Sequence, residues 1–172
     1  MSHTGFAALL IAGVCLASSA ATDIPLVISG QPKAAIVVPE GAPKDGPVCF
    51  AAEELQRFVQ EMSGATLPIV TSEADAPEPR IVLRVNESAK RPRHDGYRLR
   101  AFGGDVFVEA TQPRGALFGA YALLRELGCR WYAPGPVGTI VPSRKTLTIP
   151  GKFVLIREPD FERRYPSTGG YA

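Results

Sequence analysis

The sequence predicts a two-layer α/β sandwich, in which two main helices cover one face of a mixed β-sheet. Two segments, 48–63 and 113–127, carry apolar residues at helical spacing. Short apolar or alternating segments typical of strands lie around them, at 34–38, 67–70, 80–85, 97–100 and 106–110. Helices with one apolar face can cover one side of a sheet, which gives two layers around one core.

The first helix is predicted over residues 48–63. Its apolar face consists of Ala51, Leu55, Phe58, Val59 and Met62. Gly64 fits the position after the last turn, where a left-handed residue commonly ends a helix. Glu53 and Glu54 belong to the polar side of the pattern, so we expect both carboxylates to face solvent.

The second helix is predicted to begin after Thr111, whose hydroxyl is suited to capping, with Pro113 in the first turn. Gly115 and Gly119 lie one turn apart, so we expect a neighbouring backbone to approach closely there. The strands before this helix, 97–100 and 106–110, are predicted to form a hairpin around the Gly103-Gly104 turn.

The chain divides into three predicted segments: a signal peptide at 1–21, the α/β domain at 33–150, and a charged connector at 151–172. The apolar run 5–17 and the small residues after it are typical of a secretory signal cleaved after Ala20 or Ala21. The run is shorter than the roughly 20 residues that span a bilayer. We therefore expect a periplasmic or secreted protein without a membrane anchor; an uncleaved anchor and a misassigned start codon are the alternatives.

Composition and cysteine usage narrow the possible partners and cofactors. The net charge of +2 argues against a nucleic-acid binder, which would carry a basic stripe. Cys49 and Cys129 remain after signal cleavage and could form a disulfide or stay as two buried thiols. The sequence has no CxxC, HExxH or Cys/His cluster and no phosphate-binding glycine loop, so we expect no metal and no cofactor.

No residue is predicted to be catalytic. Two carboxylates that act together on one bond must lie about 5 to 9.5 Å apart, whereas the adjacent Glu53 and Glu54 diverge by about 100° around a helix. The carboxylates at 158, 160 and 162 alternate in the connector, where we expect them to be solvated. His94 belongs to no Ser/His/Asp pattern, and no GxSxG motif occurs.

Two groups of residues remain as binding candidates. The first is the basic set of Lys90, Arg91, Arg93, His94, Arg98 and Arg100, which is either a solvated surface or a contact for an anion or an acidic partner domain. The second is Trp131-Tyr132, which either packs against protein or stacks on a sugar. Because strand side chains alternate, at most one of these rings can stack on a ligand. The candidate carbohydrate or domain-interface residues are Trp131, Tyr132, Arg98 and Arg100.

Several motifs carry a resemblance to a known family. These are AAEELQ at 51–56, SGATLPI at 63–69, DGYRL at 95–99 and RGALFG at 114–119. In this order and spacing they resemble the N-terminal domain of α-glucuronidases of glycoside hydrolase family 67. A related domain precedes the catalytic barrel in β-N-acetylhexosaminidases. The stretch 128–142 is similar to a bacterial group that joins the same domain to a glycosidase-like barrel.

The resemblance covers roughly residues 33–164. It implies that catalysis and accessory functions belong to separate domains. In the family the catalytic carboxylates lie in a C-terminal barrel, so none transfers to this chain. It implies a non-catalytic accessory domain whose partner is that barrel, within an exported hydrolase of O-glycosyl bonds that degrades polysaccharide. The alternatives are a stand-alone carbohydrate-binding domain, with polysaccharide as its partner, and a structural exported domain.

Overall fold

The computed structural model describes residues 22–160 and confirms the predicted two-layer α/β sandwich. Its helices are α1 (Pro47–Ser63) and α2 (Pro113–Glu126). Its strands are β1 (Ile24–Ile28), β2 (Gln31–Pro32), β3 (Ala35–Val37), β4 (Ile69–Val70), β5 (Arg80–Val85), β6 (Tyr97–Phe102), β7 (Asp105–Ala110), β8 (Arg130–Trp131), β9 (Thr139–Ile140), β10 (Leu147–Ile149) and β11 (Phe153–Arg157).

The main sheet has six strands in the order β11-β6-β7-β5-β3-β4. Strands β4, β3, β5 and β7 are parallel, whereas β6 runs antiparallel to both β7 and β11. Because the four parallel strands point the same way, their carboxyl ends share one edge of the sheet. The loops 38–46, 86–96 and 111–112 therefore all leave from that edge.

The main core lies between the sheet and the helices. Alternate strand residues such as Ile81, Leu83 and Val108 face Leu55 and Leu123 of the helix layer. Both glycines of α2 pack closely against other elements, and the expected approach of a neighbouring backbone is found at Gly115. A Cβ atom on Gly119 would lie 2.5 Å from Cγ1 of Val108, and one on Gly115 would collide with the carbonyl oxygen of Gly96.

The opposite face of the sheet carries no helix in the described part of the chain. Ala35, Val37, Val82 and Phe107 form a smaller apolar cluster there with Ala76, which comes from the loop before β5. Towards the β11 edge this helix-free face exposes three large apolar side chains, those of Phe102, Val154 and Ile156.

The folded unit extends beyond the predicted limits of 33–150 at both ends. Strand β1 pairs with β10 and β2 in a separate three-stranded sheet, and its Leu26 and Val27 are fully buried. Strand β11 pairs with β6 along its whole length, so Phe153–Arg157 belongs to the main sheet rather than to a connector. The predicted signal peptide and the part of the predicted connector beyond Asp160 lie outside the described residues.

Candidate functional site

A cleft of about 700 Å³ lies at the carboxyl ends of β5 and β7. One wall is the loop after β5, which contributes Lys90, Arg93 and His94. The other wall consists of the beginnings of both helices, including Pro47 and Arg114. The parallel topology produces this arrangement, because both helix starts and the loop follow strands that end at one edge.

A buried hydroxyl attaches the cleft loop to the sheet. Thr111 Oγ1 donates to the carbonyl oxygens of Pro92, at 2.8 Å, and His94, at 3.3 Å. Thr111 therefore does not cap α2, contrary to the prediction. The N-cap is Gln112, and its side chain makes no capping hydrogen bond.

Glu158, just after β11, holds the same loop from the outside. Its carboxylate accepts hydrogen bonds from Nη1 of Arg91 at 2.8 Å, from the backbone N–H of Arg93 at 3.2 Å and from Nε of Arg93 at 3.4 Å. Desolvation would raise the pKa of Glu158, but the Arg93 backbone bond and the arginine charges outweigh it and lower that pKa. Contrary to the expectation for the connector, this carboxylate is engaged and its side chain is only 16% exposed.

The basic residues that were predicted as binding candidates lie at two separate places in the structure. Lys90, Arg93 and His94 line the cleft, and Arg91 binds Glu158 beside it. Arg98 and Arg100 lie on the helix-free face of the sheet, because they alternate with inward-facing Tyr97 and Leu99 along β6.

One cleft cation, Arg114, was missed by the sequence analysis. It lies 3.3 Å from Asp95 and remains 67% exposed. The sequence did contain a signal for it, because Arg114 lies in the first turn of a helix that follows a strand, and such helix starts lie at the carboxyl edge of a parallel sheet.

Arg98 and Arg100 share one carboxylate on the helix-free face. Arg100 makes two bonds to Glu109, at 3.0 and 3.1 Å, and Nη1 of Arg98 lies 3.8 Å from the same group. The guanidinium groups of Arg84 and Arg100 each lie 4.6 Å from the centre of the Phe107 ring. Arg100 therefore has both a carboxylate and an aromatic ring as partners, whereas Arg98 has the longer contact with Glu109 and its buried Nε has no hydrogen-bond partner among the described residues.

Trp131 and Tyr132 have different surroundings. Trp131 is half-buried and makes edge-to-face contacts with Phe58 at 5.3 Å and with Tyr121 at 5.2 Å. The Tyr132 ring is 75% exposed. Of the two, Tyr132 is the ring that is accessible for stacking on a ligand.

A buried carboxylate lies between the helices next to Trp131. Glu54 accepts a 2.6 Å hydrogen bond from the Tyr121 hydroxyl and two 2.9 Å bonds from Arg57. Burial would raise the pKa of Glu54, but these bonds outweigh it and lower that pKa. The expectation that Glu54 faces solvent was wrong, because Tyr121 of α2 covers it.

Cys49 and Cys129 are free and far apart. Cys129 Sγ contacts Met62 Sδ in the last turn of α1, at 3.9 Å, whereas Cys49 lies in the first turn of that helix. Between Cys49 and Met62 the helix rises about 20 Å, at roughly 1.5 Å per residue. The possible disulfide is therefore not formed, and burial raises the pKa of the Cys129 thiol to about 11.

Two features are absent from residues 22–160. No three His, Cys, Asp or Glu side chains there are grouped so that they could hold a metal ion. No helix in that range has the length and apolar character needed to cross a membrane.

Comparisons with solved structures show what the fold is similar to. A family GH115 4-O-methyl-α-glucuronidase with specificity for decorated arabinogalactans superposes with a TM-score of 0.62 and 22% identity over 79% of this chain. The GH20 β-N-acetylhexosaminidase from Streptomyces coelicolor A3(2) superposes with a TM-score of 0.55 and 17% identity over 83% of it. No protein-family model and no curated protein sequence matches.

In both structures the matched region is a small part of the whole. This chain spans 18% of the GH115 protein and 26% of the GH20 protein. The chain therefore has the fold of a single domain within much larger glycoside hydrolases.

Proposed function

We propose that this chain is the non-catalytic accessory domain of an exported glycoside hydrolase of the α-glucuronidase type, and that it packs against a catalytic barrel. The observation that carries the proposal is that the fold recurs as a minor part of two hydrolases from different families. The resemblance of the sequence motifs to the family 67 N-terminal domain supports the same assignment.

Three carboxylates of the described residues support a non-catalytic role, because each already makes structural contacts. Glu54 is bound to Tyr121 and Arg57, and Glu158 is bound to the cleft loop. Asp105 is buried and receives hydrogen bonds from both the backbone and the side chain of Arg80. Carboxylates that are fixed in this way stabilise the fold and are poorly placed to flank a sugar bond.

We further propose that the barrel contacts the outer side of α2 and the neighbouring β8–β9 hairpin. Phe118 on α2, Tyr132 and Ile140 are large apolar side chains that are exposed there. Exposed large apolar side chains are candidates for a protein interface, and the helix-free face, with Phe102, Val154 and Ile156, is the alternative surface.

The reading frame downstream of codon 172 provides the first test, because the proposal expects it to continue into a barrel. Residues 22–172 and the whole encoded protein would then be assayed on aryl glycosides and glucuronoxylan oligosaccharides. We expect turnover from the whole protein alone. Turnover by residues 22–172 at an ordinary glycosidase rate would refute the non-catalytic role.

The proposed interface is tested in the whole protein with Phe118→Glu, which places a charge on α2. The matched control is Phe102→Glu on the helix-free face. We expect Phe118→Glu to increase limited proteolysis between the domains and to lower Tm, and Phe102→Glu to change neither. Equal effects of the two variants would contradict the assigned interface.

Export is tested by N-terminal sequencing of the protein from the periplasm and the medium. We expect the mature chain to begin at residue 21 or 22. An intact Met1 in the exported fraction would contradict signal cleavage.

The exposed Tyr132 ring favours one alternative, a carbohydrate-binding domain. This alternative predicts saturable binding to a soluble polysaccharide that Tyr132→Ala abolishes without loss of the fold. Trp131→Ala is a poor probe, because it removes ring contacts with Phe58 and Tyr121. Absence of binding to any tested glycan counts against the alternative.

A further inference from the structure

We propose that the cleft at the carboxyl ends of β5 and β7 binds a small organic anion, whose carboxylate or phosphate group is held by Lys90, Arg93 and Arg114. This inference does not depend on the proposed function. It concerns a ligand of the domain itself, whatever protein the domain belongs to.

The first argument is the size and place of the cleft. Its volume of about 700 Å³ falls within the roughly 300 to 1,000 Å³ of small-molecule sites. It lies beyond the carboxyl ends of parallel strands, which is where open α/β sheets bind their ligands. A bare inorganic ion would fill little of this space, so the ligand requires an organic body.

The second argument is the charge of the lining. Lys90, Arg93 and Arg114 line the cleft, and Glu87 is the one carboxylate among its described lining residues. Arg93 and Arg114 each have one long ion pair, of 3.4 and 3.3 Å, and their side chains are 58% and 67% exposed. A guanidinium has five N–H donors in a planar fork, so both arginines retain donors for a carboxylate or a phosphate.

The surrounding backbone adds to this charge. The N-caps of both helices, Gly46 and Gln112, make no side-chain capping bond, and neither first turn contains an acidic residue. The positive ends of the two helix dipoles are therefore not offset by a capping side chain or a first-turn carboxylate. Pro47 and Pro113, at the beginnings of the two helices, line the cleft. The helix dipoles therefore add to the positive charge of its side chains.

The third argument is that the loop carrying two of the cations is already fixed. Thr111 holds its backbone at Pro92 and His94, and Glu158 binds the backbone N–H of Arg93. A ligand would bind without first ordering this loop, which reduces the entropy cost of binding.

The nonpolar part of the lining indicates the body of the ligand. It comes from Pro47, Ala89, Pro92 and Pro113, and none of the described lining residues is Phe, Tyr or Trp. These aliphatic side chains suit a saturated, non-aromatic body, and a pyranose serves as the probe of that class.

The test is a ¹⁵N NMR titration of residues 22–172 with four probes. Glucuronate, glucose 6-phosphate and glucose share a pyranose body and differ in their anionic group, and inorganic phosphate supplies the anion alone. We expect saturable shifts at loop 86–95 and at residues 112–115 with at least one acidic sugar, and none with glucose. Tighter binding of glucuronate would identify a carboxylate as the preferred group, and tighter binding of glucose 6-phosphate would identify a phosphate.

A charge-matched pair of variants makes the test specific. The double variant Lys90→Gln/Arg114→Gln removes two cleft cations, and Lys33→Gln/Lys152→Gln removes two exposed cations elsewhere. We expect the cleft variant to raise Kd about tenfold or more, since charge-assisted bonds are lost, and the control to leave Kd unchanged. Spectra outside the cleft verify that both variants are folded.

Three results would overturn the proposal. These are no saturable shift up to about 10 mM ligand, where even a millimolar complex is populated, equal weakening by both variants, and equal binding of neutral glucose. None of them would bear on the accessory-domain proposal, which rests on the fold.

Discussion

Tyr121→Phe is expected to lower the free energy of unfolding by about 1.5–3 kcal/mol, the usual contribution of a hydrogen bond to a charged group. The Tyr121 hydroxyl lies 2.6 Å from the Glu54 carboxylate. The substitution keeps the ring and its 5.2 Å edge contact with Trp131. Apolar burial therefore stays the same, and the change isolates the hydroxyl.

Urea unfolding followed by tryptophan fluorescence measures this difference directly. Trp131 is the single tryptophan of the chain and contacts Tyr121, so its emission reports on this cluster. The matched control is Tyr132→Phe, which removes an exposed hydroxyl and should change stability by no more than about 0.5 kcal/mol. If both variants unfold at the wild-type urea concentration, the bond to Glu54 does not stabilise the fold.

The same bond predicts a dependence on pH. Burial raises the pKa of Glu54, but hydrogen bonds from Arg57 and Tyr121 outweigh it, so the folded-state pKa is lower than the ordinary value. The stabilisation is fully present above the unfolded pKa of about 4.3 and is lost as pH falls through the lowered folded value. The difference between wild type and Tyr121→Phe should therefore be larger at pH 7 than in acid. An equal difference at both would show that ionised Glu54 is not the acceptor.

Three further predictions concern other parts of the fold. Gly115→Ala should destabilise the domain by about 1–3 kcal/mol in urea unfolding, because the collision with Gly96 outweighs the gain of about 1 kcal/mol in helix propensity; a stabilised variant would contradict this packing. Glu158→Gln should lower the protection factor of the Arg93 amide, which is its intrinsic exchange rate divided by the observed rate at the same pH, and the wild type should lose protection as pH falls through the lowered pKa of Glu158; an unchanged protection factor would show that Glu158 does not hold the loop. Cys129 should react with a thiol reagent far more slowly than Cys49 in the folded chain 22–172, because its thiol is buried and its pKa is raised to about 11; equal rates would contradict that burial.

The sequence predicted the elements that depend on local signals. The apolar spacing placed the first helix at 48–63, and the structure has it at Pro47–Ser63, followed by Gly64 at φ 83°. The hairpin of β6 and β7 also follows from local alternation and a Gly-Gly turn. These signals act within a few residues, so they need no knowledge of the rest of the fold.

Two of the errors share a different cause, which is that a polar side chain binds a partner far away in the sequence. Glu54 has the local pattern of a solvated helix residue, but its partner Tyr121 is 67 positions away. Thr111 has the pattern of a helix cap, but the loop at Pro92, 19 positions away, takes its hydroxyl. A single sequence contains no local signal for such contacts, because they depend on how the layers pack.

The basic residues of segment 90–100 lie on two different surfaces, because the chain changes from a loop to a strand within this segment. Up to Asp95 the chain is a loop, and its cations gather at the carboxyl ends of the parallel strands, beside Arg114. From Tyr97 onward the chain is a strand, so side-chain alternation places Arg98 and Arg100 on the helix-free face with Glu109. Residues that form one basic cluster in the sequence therefore lie on two surfaces. Arg98 and Arg100 share Glu109, whereas the cleft arginines Arg93 and Arg114 have separate partners, Glu158 and Asp95. For this reason the candidate arginines of β6 are expected to matter for the sheet face, and Lys90 and Arg114 for a ligand.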